Sequence, residues 1–331
     1  MKPGWRRLLG ALLIAATAWW LGRLIADNWA ELRRFDWRAD PALLAASVAA
    51  HVLVLAWGVW VWSRVLRRFE HPPVRLGTLQ RIWFLSNLAR YVPGKVFQFI
   101  AVAQLSRGAG LSGAVLLTAM LVHTGMALLS AAVVAAWTLA GGIARGVDPL
   151  WPALAATAGA ALLVHPAFLN RLLGAIPRLL KKQVIRWNAG WVDGLALLGL
   201  SIVSWALYGV AYHLFVASLT DVPWRLLPQM AGVNALSFFI GYASPLPGGA
   251  GLREISMTGL LQPYLPAGVA AVLAIASRLW TIAAELIGGA AAALLVRGGV
   301  ADDGGSTGTD GAGTPEAPDA EAGDVPVPQQ P

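Results

Sequence analysis

Six runs of apolar side chains dominate this chain, at roughly 8–26, 41–62, 111–140, 150–169, 195–219 and 267–296. A helix needs about 20 such residues to cross the hydrocarbon of a bilayer. In that medium each backbone N–H and C=O must be satisfied within the protein, so runs of this length without alternating polarity are helices. The whole chain is 57% hydrophobic and only 13% charged, against about 25% charged in a soluble domain. We therefore expect an all-α, polytopic membrane helical bundle. No polar linker divides its body, so residues 1–297 form one transmembrane domain. Residues 298–331 are rich in Gly, Pro, Asp and Glu without apolar periodicity, which predicts a disordered acidic tail.

Charge sets the expected orientation. The net +8 includes a tail with seven acids and no Lys or Arg, leaving +15 on residues 1–297. Cations cluster at Lys2, Arg6 and Arg7, again over 63–81 (Arg64, Arg67, Arg68, Arg75, Arg81), and again over 170–193 (Arg171, Arg178, Lys181, Lys182, Arg186). The loop 27–40 balances three Arg with four acids, and 141–149 and 220–225 hold one Arg each. Positive loops stay inside, so these assignments alternate and put the N-terminus and the tail in the cytoplasm of a plasma-membrane protein. Because the cations fall between apolar spans, they suit anionic lipid rather than nucleic acid. The N-terminal run has a signal-peptide outline, but Trp19 and Trp20 follow its small residues and the run continues to Ala26, so an uncleaved first helix is expected. Trp29, Trp37, Trp62, Trp151, Trp191 and Trp224 mark span ends, as an aromatic belt would.

Two stretches, 77–110 and 226–262, are interrupted near their middles by "YVPGKVFQF" (91–99) and "SPLPGGAGLRE" (244–254). Proline and glycine at this density break a helix. Each stretch then reads as two short helices, both entering and leaving on one side, the first stretch from inside and the second from outside. "LSNLARY" (85–91) and "LSFFIGY" (236–242) share Leu-Ser-x4-Tyr before the breaks at Pro93-Gly94 and Pro247-Gly248. Together these suggest two re-entrant hairpins related as an inverted repeat. The alternative is a pair of kinked spans.

A half-helix restarting after each break presents free N–H groups and a positive dipole end, which attract phosphate or carboxylate. Lys95 and Arg253 stand at those restarts, with Gly249 and Gly251 in the second turn. These residues and Arg278 are the candidate lipid-phosphate ligands. For Lys95 the alternative is a side chain that snorkels to the surface. Glu254, Glu285 and Arg90 are candidates for balancing charge or coupling protons. Glu254 can instead serve as a cap, or pair with Arg278 from another helix. Arg278 and Glu285 lie seven apart and so share a helix face, too far apart to pair directly.

Enzyme and cofactor motifs are missing. The chain has no cysteine, and its five His residues (51, 123, 165, 213 and 71) show no metal-ligand spacing. "GGAGLRE" follows no strand and is no dinucleotide fingerprint. No cofactor is expected.

"RYVPGK" (90–95) and "PLPGGAGLREISMTGLL" (245–261) resemble the flippase-like integral membrane family that includes the transmembrane region of lysylphosphatidylglycerol synthases. Pro93 and Gly94 match its earlier motif, and Pro247, Gly248, Gly249, Gly251, Arg253 and Glu254 its later one. The resemblance spans roughly 8–297. It implies a bundle with re-entrant segments that moves an anionic phospholipid or a polyprenyl-phosphate-linked lipid between leaflets. Where the synthases carry an aminoacyl-transferase domain, residues 298–331 stand instead, so the resemblance implies a non-enzymatic transporter whose partners are membrane lipid and a separate lipid-modifying enzyme or glycosyltransferase. Two other functions fit the residues. One is a proton-coupled small-solute transporter using Glu254 or Glu285. The other is a polyprenyl-phosphate-dependent glycosyltransferase using Asp27, Glu31, Asp36 and Asp40.

Overall fold

A computed structural model describes residues 19–69, 74–88, 97–108, 111–143, 148–179, 185–244 and 249–300. Arg90, Pro93, Gly94, Lys95, Pro247 and Gly248, named above, lie outside the described residues, as do residues 1–18 and 301–331. Every regular element among the described residues is helical. In chain order they are α1 (residues 19–27), α2 (Trp29–Arg34), α3 (Pro41–Leu66), α4 (Leu76–Leu88), α5 (Phe97–Gly108), α6 (Gly113–Ile143), α7 (Leu150–Leu163), α8 (Pro166–Leu179), α9 (Trp191–Leu219), α10 (Leu227–Ala243), α11 (Leu252–Leu261) and α12 (Ala267–Val300). Four are long and apolar enough to cross a membrane: α3, α6, α9 and α12. At 26 residues, α3 is about 39 Å long at 1.5 Å per residue.

Contacts between loops fix which helix ends lie together. At one end, the Arg38 N–H donates to Leu219 O and the Asp40 N–H to Ser218 O, each at 3.0 Å. The Arg38 guanidinium also pairs with Asp221 at 3.2 Å, and Gly268 at the start of α12 packs on Asn28 and Leu32. At the other end, Arg68 pairs with Asp193 at 2.9 Å, the Asn188 N–H donates to Arg68 O, and Phe69 meets Trp187 edge to face. Loops assigned above to one side of the membrane therefore do sit together.

The same contacts place the two broken stretches. α10 starts beside the first end, and α11 returns to that end, where α12 begins. Near its start α10 also meets the close of α6, where Gly232 packs on Thr138 and Leu139. The 31-residue α6 must then begin at the opposite end. α4 leaves that opposite end after Phe69, and α5 leads back to it. The α4/α5 and α10/α11 pairs are thus helical hairpins that open at opposite ends of the bundle. With 13, 12, 17 and 10 residues, none of their helices reaches the roughly 30 Å of the hydrocarbon core.

Each hairpin rests on its own apolar cluster. Leu79, Ile82 and Val102 pack with Trp62, Leu116, Met120 and Leu197. Met230, Val233, Met257 and Leu261 pack with Tyr212, Phe215, Leu273 and Trp280.

Three expectations change. The run 150–169 is not one straight helix: α7 ends at Leu163 and α8 leaves at 67° from it. Pro166 forces this, since it bars helical backbone at His165 and then starts a helix well. Trp62 is fully buried in the core rather than at an interface, whereas Trp29, Trp151, Trp191 and Trp224 are exposed as a belt requires. α12 runs to Val300, three residues into the stretch read as tail.

Small residues set the helix spacing, as they do where lipid supplies no hydrophobic drive between helices. A Cβ at Gly232 would stand 2.0 Å from Thr138 Oγ1, and one at Gly209 would stand 2.4 Å from Ala231 Cβ. Gly58 in α3 faces open space. Gly232→Ala should therefore destabilise by about 1–3 kcal/mol, the usual cost of overpacking. Gly58→Ala should be neutral or stabilising by up to about 1 kcal/mol. Thermal unfolding in detergent compares the two, and equal melting points would remove the close α6–α10 contact from the account.

Candidate functional site

The second break is built from glycines that touch. Gly249 and Gly251 have φ of +72° and +92°, in the left-handed region where a side chain is strained. A Cβ on Gly249 would also stand 2.7 Å from the carbonyl oxygen of Gly241 in α10. Gly241 itself lies under Arg253, whose Cβ would come within 2.9 Å of a side chain placed there. The turn therefore folds back on the helix that led into it, and this close approach sets Arg253 against α10.

Glu254 then ties the turn to the rest of the bundle. Its Oε2 accepts the Gly251 N–H at 2.6 Å, satisfying one of the donors that a helix start leaves without an internal partner. Its Oε1 accepts from Nη1 of Arg278 in α12 at 3.3 Å. The two side chains are mostly buried, at 12% and 22% exposure. Capping and cross-helix pairing, alternatives on sequence grounds, are both present, one on each carboxylate oxygen.

Arg253 has a different environment. Its Nε is buried and has no hydrogen-bond partner among the described residues, and no ion pair there includes it. Two guanidinium groups and one carboxylate give this cluster a net positive charge. The site is deep. Gly241 is the fifteenth residue of α10, about 21 Å along its axis, and Arg278 the twelfth of α12, about 16 Å along.

α12 joins this cluster to the other hairpin. Trp280 donates to Ser47 Oγ of α3 at 3.1 Å, Ser277 donates to Met257 Sδ of α11 at 3.3 Å, and Gly288 packs against the Phe84 ring of α4. Glu285, 2% exposed, lies between the two contacts with the hairpins. Of the residues expected to form the site, Gly249, Gly251, Arg253, Glu254 and Arg278 come together around the start of α11. Glu285 lies seven residues further along α12. Lys95, Arg90, Pro93, Gly94, Pro247 and Gly248 fall outside the described residues.

Sequence reading missed Gly241, which receives the turn, and the buried amide of Asn234 in the same helix. An asparagine in the midst of "MAGVNALSFFIGY" was the available signal, since an uncharged amide in an apolar span is still costly to bury.

The family described as lysylphosphatidylglycerol synthase TM region matches residues 7–289. No curated protein shows a significant match to the chain.

The two uses of Glu254 separate by substitution. Gln retains an oxygen for the Gly251 N–H but replaces the other with a donor facing Arg278. Glu254→Gln should cost about 1–3 kcal/mol for the broken partly buried pair, and Glu254→Ala about 1 kcal/mol more for the lost cap. In a double-mutant cycle with Arg278→Ala, the coupling should vanish in the Gln background. Additive losses for Glu254→Ala and Arg278→Ala would mean that the pair carries no energy.

Proposed function

Because the chain belongs to the lysylphosphatidylglycerol synthase TM region family, a family of membrane domains, we propose that it moves an anionic or phosphate-bearing lipid between leaflets without performing enzyme chemistry. The observation that carries this reading is the position of Arg253. Its Cβ and Cγ pack on Gly241 near the end of α10, and the carboxylate of the next residue, Glu254, is already engaged by Gly251 and Arg278. The side chain is half-buried with its Nε covered and unpartnered among the described residues, and a lipid phosphate reaching the break would supply a counter-charge. The N–H groups at the start of α11 and its dipole favour the same charge. Gly249 and Gly251 hold the backbone open to it, and Arg278 adds positive charge at one remove.

In this reading the two hairpins are an inverted repeat, which gives each leaflet its own route to a shared interior, and Lys95 at the first break is the counterpart of Arg253. The protein lies in a plasma membrane. The end with exposed Arg64, Arg67, Arg68, Arg75, Arg81, Arg171 and Arg186 faces the cytoplasm, following the charge bias of short loops, and the N-terminus and acidic tail lie on that side. A separate lipid-modifying enzyme or glycosyltransferase supplies or consumes the lipid.

Glu285 supports a second reading. A carboxylate 2% exposed midway along a membrane-crossing helix suits proton-coupled transport of a small solute. The glycosyltransferase reading has less support: Asp40 accepts the Ala42 and Leu43 N–H groups as the cap of α3, and Asp27 pairs with Arg23.

The test is transbilayer movement of fluorescent phosphatidylglycerol in vesicles reconstituted with the full chain. Arg253→Ala should slow it about 10- to 100-fold, the worth of a hydrogen bond to a charged group, and Arg253→Lys should retain part of the rate. Rates unchanged in both Arg253→Ala and Arg278→Ala would take these residues out of the mechanism. Proton flux without lipid movement would favour the second reading.

A further inference from the structure

α8 is amphipathic, and only part of its apolar face is covered. At about 100° per residue, its sequence PAFLNRLLGAIPRL puts Phe168, Leu169, Leu172 and Leu173 on one side and Ala167, Asn170 and Arg171 on the other. Leu169 and Leu173 face the bundle, in the apolar cluster that holds Phe69 and Trp187. Phe168 and Leu172 lie further round the helix and are 44% and 58% exposed. Arg171 is exposed beside them.

The polar side fixes the attitude of the helix. The Asn170 amide donates to Trp187 O at 3.0 Å, and its oxygen accepts the Trp187 N–H at 2.8 Å. The Trp187 ring in turn meets Phe69, ahead of α4. α7 packs along the membrane-crossing α6, where Trp137 donates to Thr157 Oγ1 at 3.0 Å. α8 leaves α7 at 67°. Membrane-crossing helices tilt by about 20° on average, so α8 runs nearer the plane of the membrane than its normal.

The corner between α7 and α8 lies at the cationic end of the bundle. A Cβ on Gly194 would stand 2.7 Å from Val164 O, and the preceding Asp193 pairs with Arg68. Trp191, itself exposed, donates to Ala161 O at 2.9 Å and meets the His165 ring edge to face. An exposed tryptophan of this kind marks headgroup level. Leu162 and Leu163 in the last turn of α7 are exposed as well. Apolar surface therefore runs up to the corner in α7 and on from it in α8.

Charge decides what covers that surface. Arg64, Arg67, Arg75 and Arg186 are exposed at the same end. A second copy seated on α8 would bring two such cationic ends together. A leaflet with anionic headgroups meets both features: its acyl boundary takes the apolar residues of an amphipathic helix, and its surface potential attracts the cations. We propose that α8 is an interfacial helix that lies along the leaflet at this end, with Phe168 and Leu172 in the acyl boundary and Arg171 among the headgroups, where it gathers anionic lipid. Through Asn170, Trp187 and Phe69 it anchors the approach to the α4/α5 hairpin on that leaflet. The proposal concerns the surface of the protein and does not depend on the reading of Arg253.

The chain has no cysteine, so single cysteine variants of the full chain take a fluorophore at one known place. They are reconstituted in vesicles of phosphatidylcholine and phosphatidylglycerol, and quenching is compared for nitroxides on the lipid headgroup and along the acyl chain. Phe168→Cys and Ala175→Cys alter exposed positions seven residues apart on one side of the helix. Both should report the same depth, with strongest quenching by a nitroxide high on the acyl chain, and Arg171→Cys should be quenched most from the headgroup. A depth difference approaching the roughly 10 Å that seven residues span along an axis would make α8 part of a broken span and overturn the proposal. Quenching only by aqueous iodide, or by neither iodide nor lipid, would also overturn it, the latter pointing to a second copy over the helix. For the charge, the label at Leu172→Cys should respond to nitroxide phosphatidylglycerol at lower content than to nitroxide phosphatidylcholine. Adding Arg171→Ala should cut that preference by up to about fivefold, the worth of one cation near an anionic surface, and high salt should weaken it. Equal response to the two lipids would overturn the gathering of anionic lipid.

Discussion

A backbone that stops being helical inside a bilayer loses hydrogen bonds that lipid cannot replace, each unsatisfied group costing several kcal/mol. In this protein the described residues that lead into α11 meet protein: Gly249 lies on the carbonyl of Gly241, and Glu254 receives the N–H of Gly251. The same carboxylate receives Arg278 from α12. One short side chain therefore links the end of a broken segment to the longest described helix. If that link is lost, a half-helix start and a guanidinium are left without their partner in the interior.

α12 acts as the common wall for both hairpins. Its start packs on Asn28 and Leu32 at one end of the bundle, Arg278 and Ser277 meet α11, and Gly288 lets Phe84 of α4 approach. The hairpins reach it from opposite ends. That arrangement places interrupted backbone and charged groups in the interior while the lipid-facing surfaces stay apolar, as the exposed Leu279, Leu286, Ile287 and Leu294 of α12 show. Ser277, Thr281 and Glu285 of α12 are buried and Arg278 is half-buried, so they follow the interior rather than the surface.

Much of this was legible in the chain because membrane solvation is a severe filter. Long apolar runs without charge admit few readings, and α3, α6, α9 and α12 lie where those runs predict. Loop charges grouped the ends correctly, since the Arg38–Asp221 and Arg68–Asp193 pairs join loops assigned to the same side. Glycine marked the turn into α11, and the acid after Arg253 suggested both a cap and a partner for Arg278. The bend within 150–169 went unread because its composition suits a straight span throughout; what bends it is the steric effect of Pro166 on His165, which hydropathy does not register. Trp62 misled in a similar way, because a tryptophan near a helix end can face an interface or a core, and only the neighbouring helices decide.

The sequence by itself determined that this protein is a helical membrane bundle, that a break separates α10 from α11, and which charged residues stand at that break. These follow from local rules: the length of an apolar run, the rigidity of proline, the freedom of glycine and the cost of charge in lipid. Tertiary structure alone decided that Glu254 serves Gly251 and Arg278 at once and that Gly241 receives the turn. Those relations join α10, α11 and α12. They depend on the distances at which helices pack, and those distances arise from side chains meeting between segments that the chain order keeps apart.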